Sequence, residues 1–401
     1  MSKFAKKGFY MEEKEKNAIF DITKNKLFFE NIDKLHDWND GEISQAKIIE
    51  KVKMTLKNYM ELDNVSFLFG SGTSIHLGAV SIRNFPIEVE KYILGRERGD
   101  AFYSMIKKLQ KEQLKDKEED STFKDKKGWE FIIKESIIRD SLSGEIATEY
   151  ESVLNYLTAT EFLQSLTNMA EEAKQTRELI STIKEGLFEV CNVDKRKIPI
   201  SELRRIIKRG KKNAFKSALK NKYHFHQLFL KSLLQRPLNL RRANIFTSNY
   251  DLAFEYSCDE LGIEYINGFV GFNERNFRPE VYNYDFFFPG DTTEGKVRRI
   301  ERVIKYYKLH GSLNWVYKNQ NKNNPYGLYE IPIELVRMKL KNKMDNLGEI
   351  MIYPTSSKKE YTLNFPYSEL FRKFADRLQQ PEAVLFVIGY SFYDEHVNDI
   401  I

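Results

Sequence analysis
Two hydrophobic rhythms alternate along this chain. One is short and nearly unbroken, as in Val65-Ser-Phe-Leu-Phe69, residues 243–247, 303–309, 350–353 and 383–388. Continuous apolar runs of this length suit strands buried on both faces, as in a parallel sheet. The other rhythm sets apolar residues three or four apart, as in Ile43, Ala46, Ile49, Val52, Leu56 and Tyr59, and again over 368–378. That spacing predicts amphipathic helices. Residues 261–266 read as a helix end passing into a strand, so 243–266 form a strand–helix–strand unit. Such alternation predicts an α/β fold with a doubly wound parallel sheet. Gly268-Phe-Val-Gly271 and the aromatic stretch through Tyr282, Tyr284, Phe286, Phe287 and Phe288 read as turn and loop.

Between about 96 and 239 the helical rhythm takes over and glycine and proline thin out. Residues 146–169 and 177–184 look like amphipathic helices, and the Lys/Glu-rich 107–127 like a solvated face. The expected division is an N-terminal helical extension at 1–61, an α/β domain built from 62–95 and 240–401, and a large inserted helical domain at 96–239. Phe28, Phe29 and Trp38 are the expected docking anchors of the extension.

Composition then removes whole classes. With 401 residues, 41% of them hydrophobic, the chain can bury one large core or two smaller ones. No apolar run reaches the ~18 residues of a membrane span, and the N-terminus lacks the apolar core of a signal peptide. Cys191 and Cys258 are far apart and form no CxxC pair. That argues against a disulfide framework or zinc ribbon, and fits a reducing cytoplasm.

Net charge is +6, but it is unevenly spread. Residues 195–242 hold 16 Lys and Arg against one acid, Glu202, and this +15 leaves the remainder at −9. The segment could meet nucleic acid, an acidic partner or the chain's own acidic face, though it carries no known reading motif and basic helices are often only solvated. His224 and His226, two apart on a helix, diverge and read as surface or packing residues.

Four strand ends carry polar clusters, which in an open α/β sheet face the ligand crevice. After 65–69 stands Gly70-Ser71-Gly72-Thr73-Ser74. Glycines let backbone approach a pyrophosphate, and N–H groups at a helix start bind the anion. Ile75 replaces the third glycine of a GxGxxG fingerprint, so a tight turn explains this stretch as well. After 243–247 comes Ser248-Asn249-Tyr250-Asp251, with Asn249 and Asp251 where chemistry would sit. Taken alone, Ser248 and Asp251 read better as an acidic capping box. His310-Gly311-Ser312 follows 303–309; its histidine suits proton transfer near neutral pH, or simply caps a strand end. Gly389-Tyr390-Ser391 follows 383–388 and precedes a helix from Asp394. It suits a ribose or adenine, or Ser391 and Asp394 form a second capping box.

In this order, GSGTS at 70–74, TSNYD at 247–251, KLHGS-Leu-Asn-Trp at 308–315 and GYSFYDEH at 389–396 resemble the sirtuin NAD-binding fold. Within it they are most similar to bacterial sirtuin-like NAD hydrolases of antiphage defence. The resemblance covers roughly 62–95 and 240–401. It implies a Rossmann-like sheet and NAD as substrate, cleaved to nicotinamide and ADP-ribose. It also implies catalytic roles for three residues. Asn249 would orient water or the nicotinamide ribose, His310 would act as base on water or a ribose hydroxyl, and Asp251 would support the nicotinamide end. The implied NAD-binding set is Gly70, Ser71, Gly72, Thr73, Ser74, Ser248, Gly311, Gly389, Tyr390 and Ser391. Within that branch the activity depletes cellular NAD when phage triggers it, in an abortive infection. A homo-oligomer and a HerA-type ATPase on a separate chain are the implied partners.

Deacetylase sirtuins carry four zinc cysteines after the catalytic histidine, and two scattered cysteines cannot build that module. The expectation is therefore no zinc, no other metal, and hydrolysis in preference to acyl-lysine removal. Homologues often continue past the last motif helix, so a natural chain longer than Ile401 is expected. Three other readings stay open: an NAD or ADP-ribose sensor or scaffold without turnover, a nucleic-acid-binding subunit resting on 195–242, and a deacylase.

Overall fold
Five parallel strands form the main sheet: β1 (Val65–Phe69), β2 (Asn244–Thr247), β3 (Glu264–Ile266), β4 (Val303–Lys308) and β5 (Val384–Ile388), in the order β5-β1-β2-β4-β3. The helices are α1 (Gln45–Met60), α2 (Phe85–Leu94), α3 (Tyr150–Leu166), α4 (Ala170–Cys191), α5 (His224–Leu233), α6 (Ala253–Leu261), α7 (Ile333–Asn342), α8 (Tyr367–Leu378) and the short α9 (Glu395–Asn398). The computed structural model describes residues 28–29, 32–33, 45–80, 85–94, 150–167, 169–193, 222–289, 297–342, 349–350, 365–392 and 394–401.

The apolar runs of the strands serve two cores, because successive side chains leave a strand on opposite faces. Phe67, Phe69, Ile245, Ile304 and Tyr306 pack on one face with Leu230 and Leu233 of α5 and Phe254 and Cys258 of α6. Leu68, Phe246 and Tyr307 pack on the other with Leu370, Phe371 and Phe374 of α8. Each fully buried Leu or Phe contributes roughly 1.5–3 kcal/mol, so the two cores hold the strand ends in a fixed alignment. The expected parallel α/β sheet is therefore present, with helices on both sides.

A second five-stranded sheet includes residues of the stretch read as turn and loop, and Ile350, read as the start of a buried parallel-sheet strand over 350–353, pairs here instead, with 351–353 outside the described residues. It runs Glu349–Ile350, Trp315–Tyr317, Leu328–Glu330, Arg275–Phe277, Phe269–Val270, with antiparallel neighbours throughout. Phe287–Pro289 likewise pairs with Val297–Arg299. Strands of two or three residues are too short to show a period-two pattern, and that is why they read as loop. Leu313, Val316, Tyr329 and Ile331 from this region share a third core with apolar residues of α2, α3, α4 and α7.

Helix α1 is described from Gln45 on, with Ile43 of the expected helix outside the described residues, and Leu56 and Tyr59 of its expected apolar face are exposed. Phe28 is exposed in a two-residue strand pair, while Trp38 and residues 195–221 of the basic segment lie outside the described residues. The described end of that segment is largely tied inward. Arg236 donates to the carbonyls of Met60 and Leu62, and buried Arg242 pairs with Asp285. Of the two histidines, His226 is buried and His224 is half-buried. No described helix is long and apolar enough to cross a membrane.

Candidate active site
Register brings the four motif loops to one edge of the sheet. Ile388 pairs with Phe69, Phe69 with Thr247, and Thr247 with Lys308, so β5, β1, β2 and β4 end level. Gly389, Gly70, Ser248 and Leu309 each follow directly, at the carboxyl ends where open α/β sheets hold ligands.

Asn249 is anchored at this edge by several partners. Its Nδ2 donates to the Gly70 carbonyl at 3.1 Å and meets Thr73 Oγ1 at 3.3 Å and Ser74 Oγ at 3.2 Å. Its backbone N–H is held by Thr247 Oγ1 at 3.0 Å. A carbonyl can only accept, so Gly70 fixes which end of the carboxamide faces inward. Asn249 Oδ1 has no hydrogen-bond partner among the described residues and is half-exposed with its side chain.

The 70–74 loop differs from the expected strand–turn–helix cradle. Two successive 3₁₀ turns, Ser71–Thr73 and Ile75–Leu77, replace an α-helix start. The N–H groups of Gly70, Gly72, Thr73 and Ser74 donate to Ile388, Gly389, Gly70 and Ser71 carbonyls respectively. These four donors are committed within the fold. The glycines have a packing reason: a Cβ on Gly70 would lie 2.5 Å from Tyr390 Cα, and one on Gly72 would lie 2.8 Å from the Gly389 carbonyl. Gly389 itself sits at φ +64°, a left-handed backbone that favours glycine. Thus GSGTS and GYS interlock; the Ser74 hydroxyl is buried against Asn249, the half-buried Thr73 hydroxyl donates to the Gly70 carbonyl, and Ser71 is half-buried.

His310 lies two residues beyond the end of β4. Its Nε2 is 3.1 Å from His396 Nε2, reaching across from α9. One Asp394 carboxylate oxygen and one nitrogen of each histidine lie within 4.8 Å of one another, with Asp394 only 6% exposed. Two imidazole nitrogens at this distance share one hydrogen, or flank an ion, since ligands of a tetrahedral zinc stand roughly 3.3 Å apart. His310, Asp394 and His396 are therefore grouped closely enough, among the described residues, to hold a metal ion.

Residues 243–401 match the model of the SIR2-like domain. The match supports a Sir2-family member, and SIR2-like domains use NAD as substrate. No curated protein matches the chain. The SIR2-like match begins at the edge of β2, yet β1 and its GSGTS loop lie between β2 and β5 in the sheet, so the edge is completed by residues before the match.

Within the SIR2-like domain the structure separates the three residues expected to be catalytic. Asn249 and His310 follow neighbouring strands, whereas Asp251 is turned inward and is 8% exposed. Its Oδ1 accepts from the Ala253 N–H at 3.0 Å. The expected capping box at Ser248 is absent: α6 starts at Ala253, and the Ser248 N–H joins the Phe69 carbonyl. No side-chain cap is present at Asp394 either, and Ser391 is exposed. Tyr390 donates its hydroxyl to the Asp394 carbonyl at 3.3 Å, and burial pushes its phenol up.

Two residues that sequence reasoning passed over organise this edge. Lys308, which the sequence shows as a charged residue of the 303–309 strand and of KLHGS, is buried; its Nζ reaches the Tyr250 and Asp251 carbonyls and lies 3.0 Å from Glu255 Oε1. It thereby ties the NYD turn to β4. Burial raises the Glu255 carboxyl, and Lys308 opposes that rise. His396 stood in view inside GYSFYDEH, but only the fold shows that it meets His310.

Proposed function
We propose that this chain is an NAD glycohydrolase that cleaves NAD to nicotinamide and ADP-ribose. The observation that carries the reading is the anchored Asn249 carboxamide, its Oδ1 unengaged among the described residues, on the strand edge it shares with His310. Nicotinamide departs as a neutral base while positive charge builds on the ribose. The chemistry needs an acceptor to orient water or a ribose hydroxyl, and a base to take its proton. Asn249 supplies the acceptor. His310 supplies the base, and His396 beside it helps fix which ring nitrogen carries the hydrogen. Ser71, Thr73 and Ser391 hydroxyls are the proposed contacts to the dinucleotide. In the cell the activity would deplete NAD on phage infection, regulated by homo-oligomerisation or by a HerA-type ATPase partner.

The test is release of nicotinamide and ADP-ribose from NAD by the purified chain, beside Asn249→Ala and His310→Ala. Losing a positioned base or its partner should lower turnover by about 100-fold or more. Normal circular dichroism and retained NAD binding must accompany that loss. Turnover that survives both substitutions would refute the reading; binding without turnover in any form would make the chain a sensor.

A further inference from the structure
At the opposite edge of the main sheet lies a basic pocket that the proposed NAD chemistry does not use. Its volume is about 140 Å³, well under the roughly 300–1,000 Å³ that encloses a drug-sized ligand. Asn244, the first residue of β2, lines it with Lys305 of β4, its register partner, and Arg242, Asp285, Arg299 and Arg377. The three-residue step from Asn244 to Thr247 spans roughly 10 Å of strand, so this pocket and the crevice sit at the two ends of the same strands.

Its charge is unbalanced. Asp285 is taken by Arg242, whose guanidinium also donates to the Val303 and Ile300 carbonyls. Arg299, Lys305 and Arg377 have no carboxylate partner among the described residues; Arg299 donates one Nη to the Leu240 carbonyl and Lys305 donates to the Tyr282 carbonyl, each at 2.7 Å. Arg299 Nε and Arg377 Nε are buried without any hydrogen-bond partner. A buried, unsatisfied donor on a charged group is costly, and both of these residues line the pocket. Burial lowers Lys305 to about 8, with a smaller push from Arg377 and Arg242 that Asp285 opposes.

We propose that this pocket binds a phosphoryl group, free or at the end of a small phosphate ester. A phosphate carries close to two negative charges and three strong acceptors, which answers three cations that lack a carboxylate partner among the described residues better than one carboxylate does. The guanidinium Nε–Nη edge is the fork that pairs with phosphate through two bonds, and both orphaned atoms are Nε. The pocket volume admits a phosphate or pyrophosphate and excludes a whole dinucleotide.

The experiment is calorimetric titration of the full chain with inorganic phosphate and with pyrophosphate at constant ionic strength in chloride. Saturable binding is expected, weakened at least tenfold by Arg299→Gln and by Arg377→Gln and unchanged by Asn249→Ala. Arg299→Lys and Arg377→Lys keep the charge but lose the fork, and serve if the glutamine variants do not fold; a severalfold loss is expected. ADP that competes with pyrophosphate would identify a nucleotide's phosphoryl end as the source, and ADP without effect a free anion, either supporting the site. Absence of saturable binding, or wild-type affinity in folded arginine variants, would overturn it.

Discussion
His310 Nε2 and His396 Nε2 stand 3.1 Å apart although 86 residues separate them in sequence. Such a pair holds one hydrogen between two nitrogens, so each ring sets the tautomer of the other. In that arrangement His396→Ala should lower NAD turnover tenfold or more while leaving NAD affinity within a few-fold. Dialysis against EDTA should leave the wild-type rate within twofold. A rate lost to EDTA and restored by zinc would instead make His310, His396 and Asp394 a metal site.

The interlocked glycines make a second prediction with an internal control. Gly389 and Gly262 share a left-handed backbone, at φ +64° and +62°. A Cβ on Gly389 would meet the Thr73 backbone nitrogen at 2.6 Å, whereas one on Gly262 meets nothing within 4 Å. Gly262→Ala should cost about 1–2 kcal/mol, the left-handed penalty alone. Gly389→Ala should cost clearly more in urea denaturation and should weaken NAD binding, because the Gly72–Thr73 turn must move. Equal costs for the two would remove the packing account of GSGTS and GYS.

How far the fold was legible follows the length of each element. Val65–Phe69 was read to the residue, and β2, β4 and β5 within one residue at an end, because a four- to six-residue apolar run has few other uses. Trp315–Tyr317 and Leu328–Glu330 left no such trace, since three residues cannot display alternation. Of the candidate site, Asn249 and His310 were legible as polar residues at strand ends. The inward turn of Asp251 was not, because a helix starting at Ala253 instead of next to Ser248 changes which way that carboxylate points. Lys308 was hidden by its position: on a strand it reads as a break in an apolar run until Glu255 appears beside it.

That pair yields a third prediction. Lys308 and Glu255 are both buried and 3.0 Å apart, and the lysine also caps the Tyr250 and Asp251 carbonyls. Lys308→Met strands the carboxyl and leaves both carbonyls short of a donor, at a cost of roughly 3–5 kcal/mol. Adding Glu255→Leu should recover part of that loss by removing the buried acid. Urea unfolding of the two single variants and the double variant measures the coupling; additive losses would show that the pair does not act as one unit.

The last prediction concerns pH. His226 on α5 is 5% exposed, stacks on His76 at 5.4 Å between ring centroids, and lies edge-on to Phe254. Burial holds its imidazole at about 4, below the ordinary 6.5; Asp251 opposes the shift and His76 adds to it. The folded chain therefore keeps His226 neutral over a window in which the unfolded chain protonates it. Between about 6.5 and 4 the unfolded state binds more protons, so this group's contribution is full above 6.5 and is lost as pH falls. The whole window is worth about 3 kcal/mol. His226→Phe keeps a ring against Phe254 and cannot titrate, so its stability should fall less steeply than wild type from pH 6.5 to 4.5. Urea midpoints at half-unit steps give both slopes. Parallel curves would mean that His226 gains a proton as readily folded as unfolded, and the acid sensitivity would then belong to other groups.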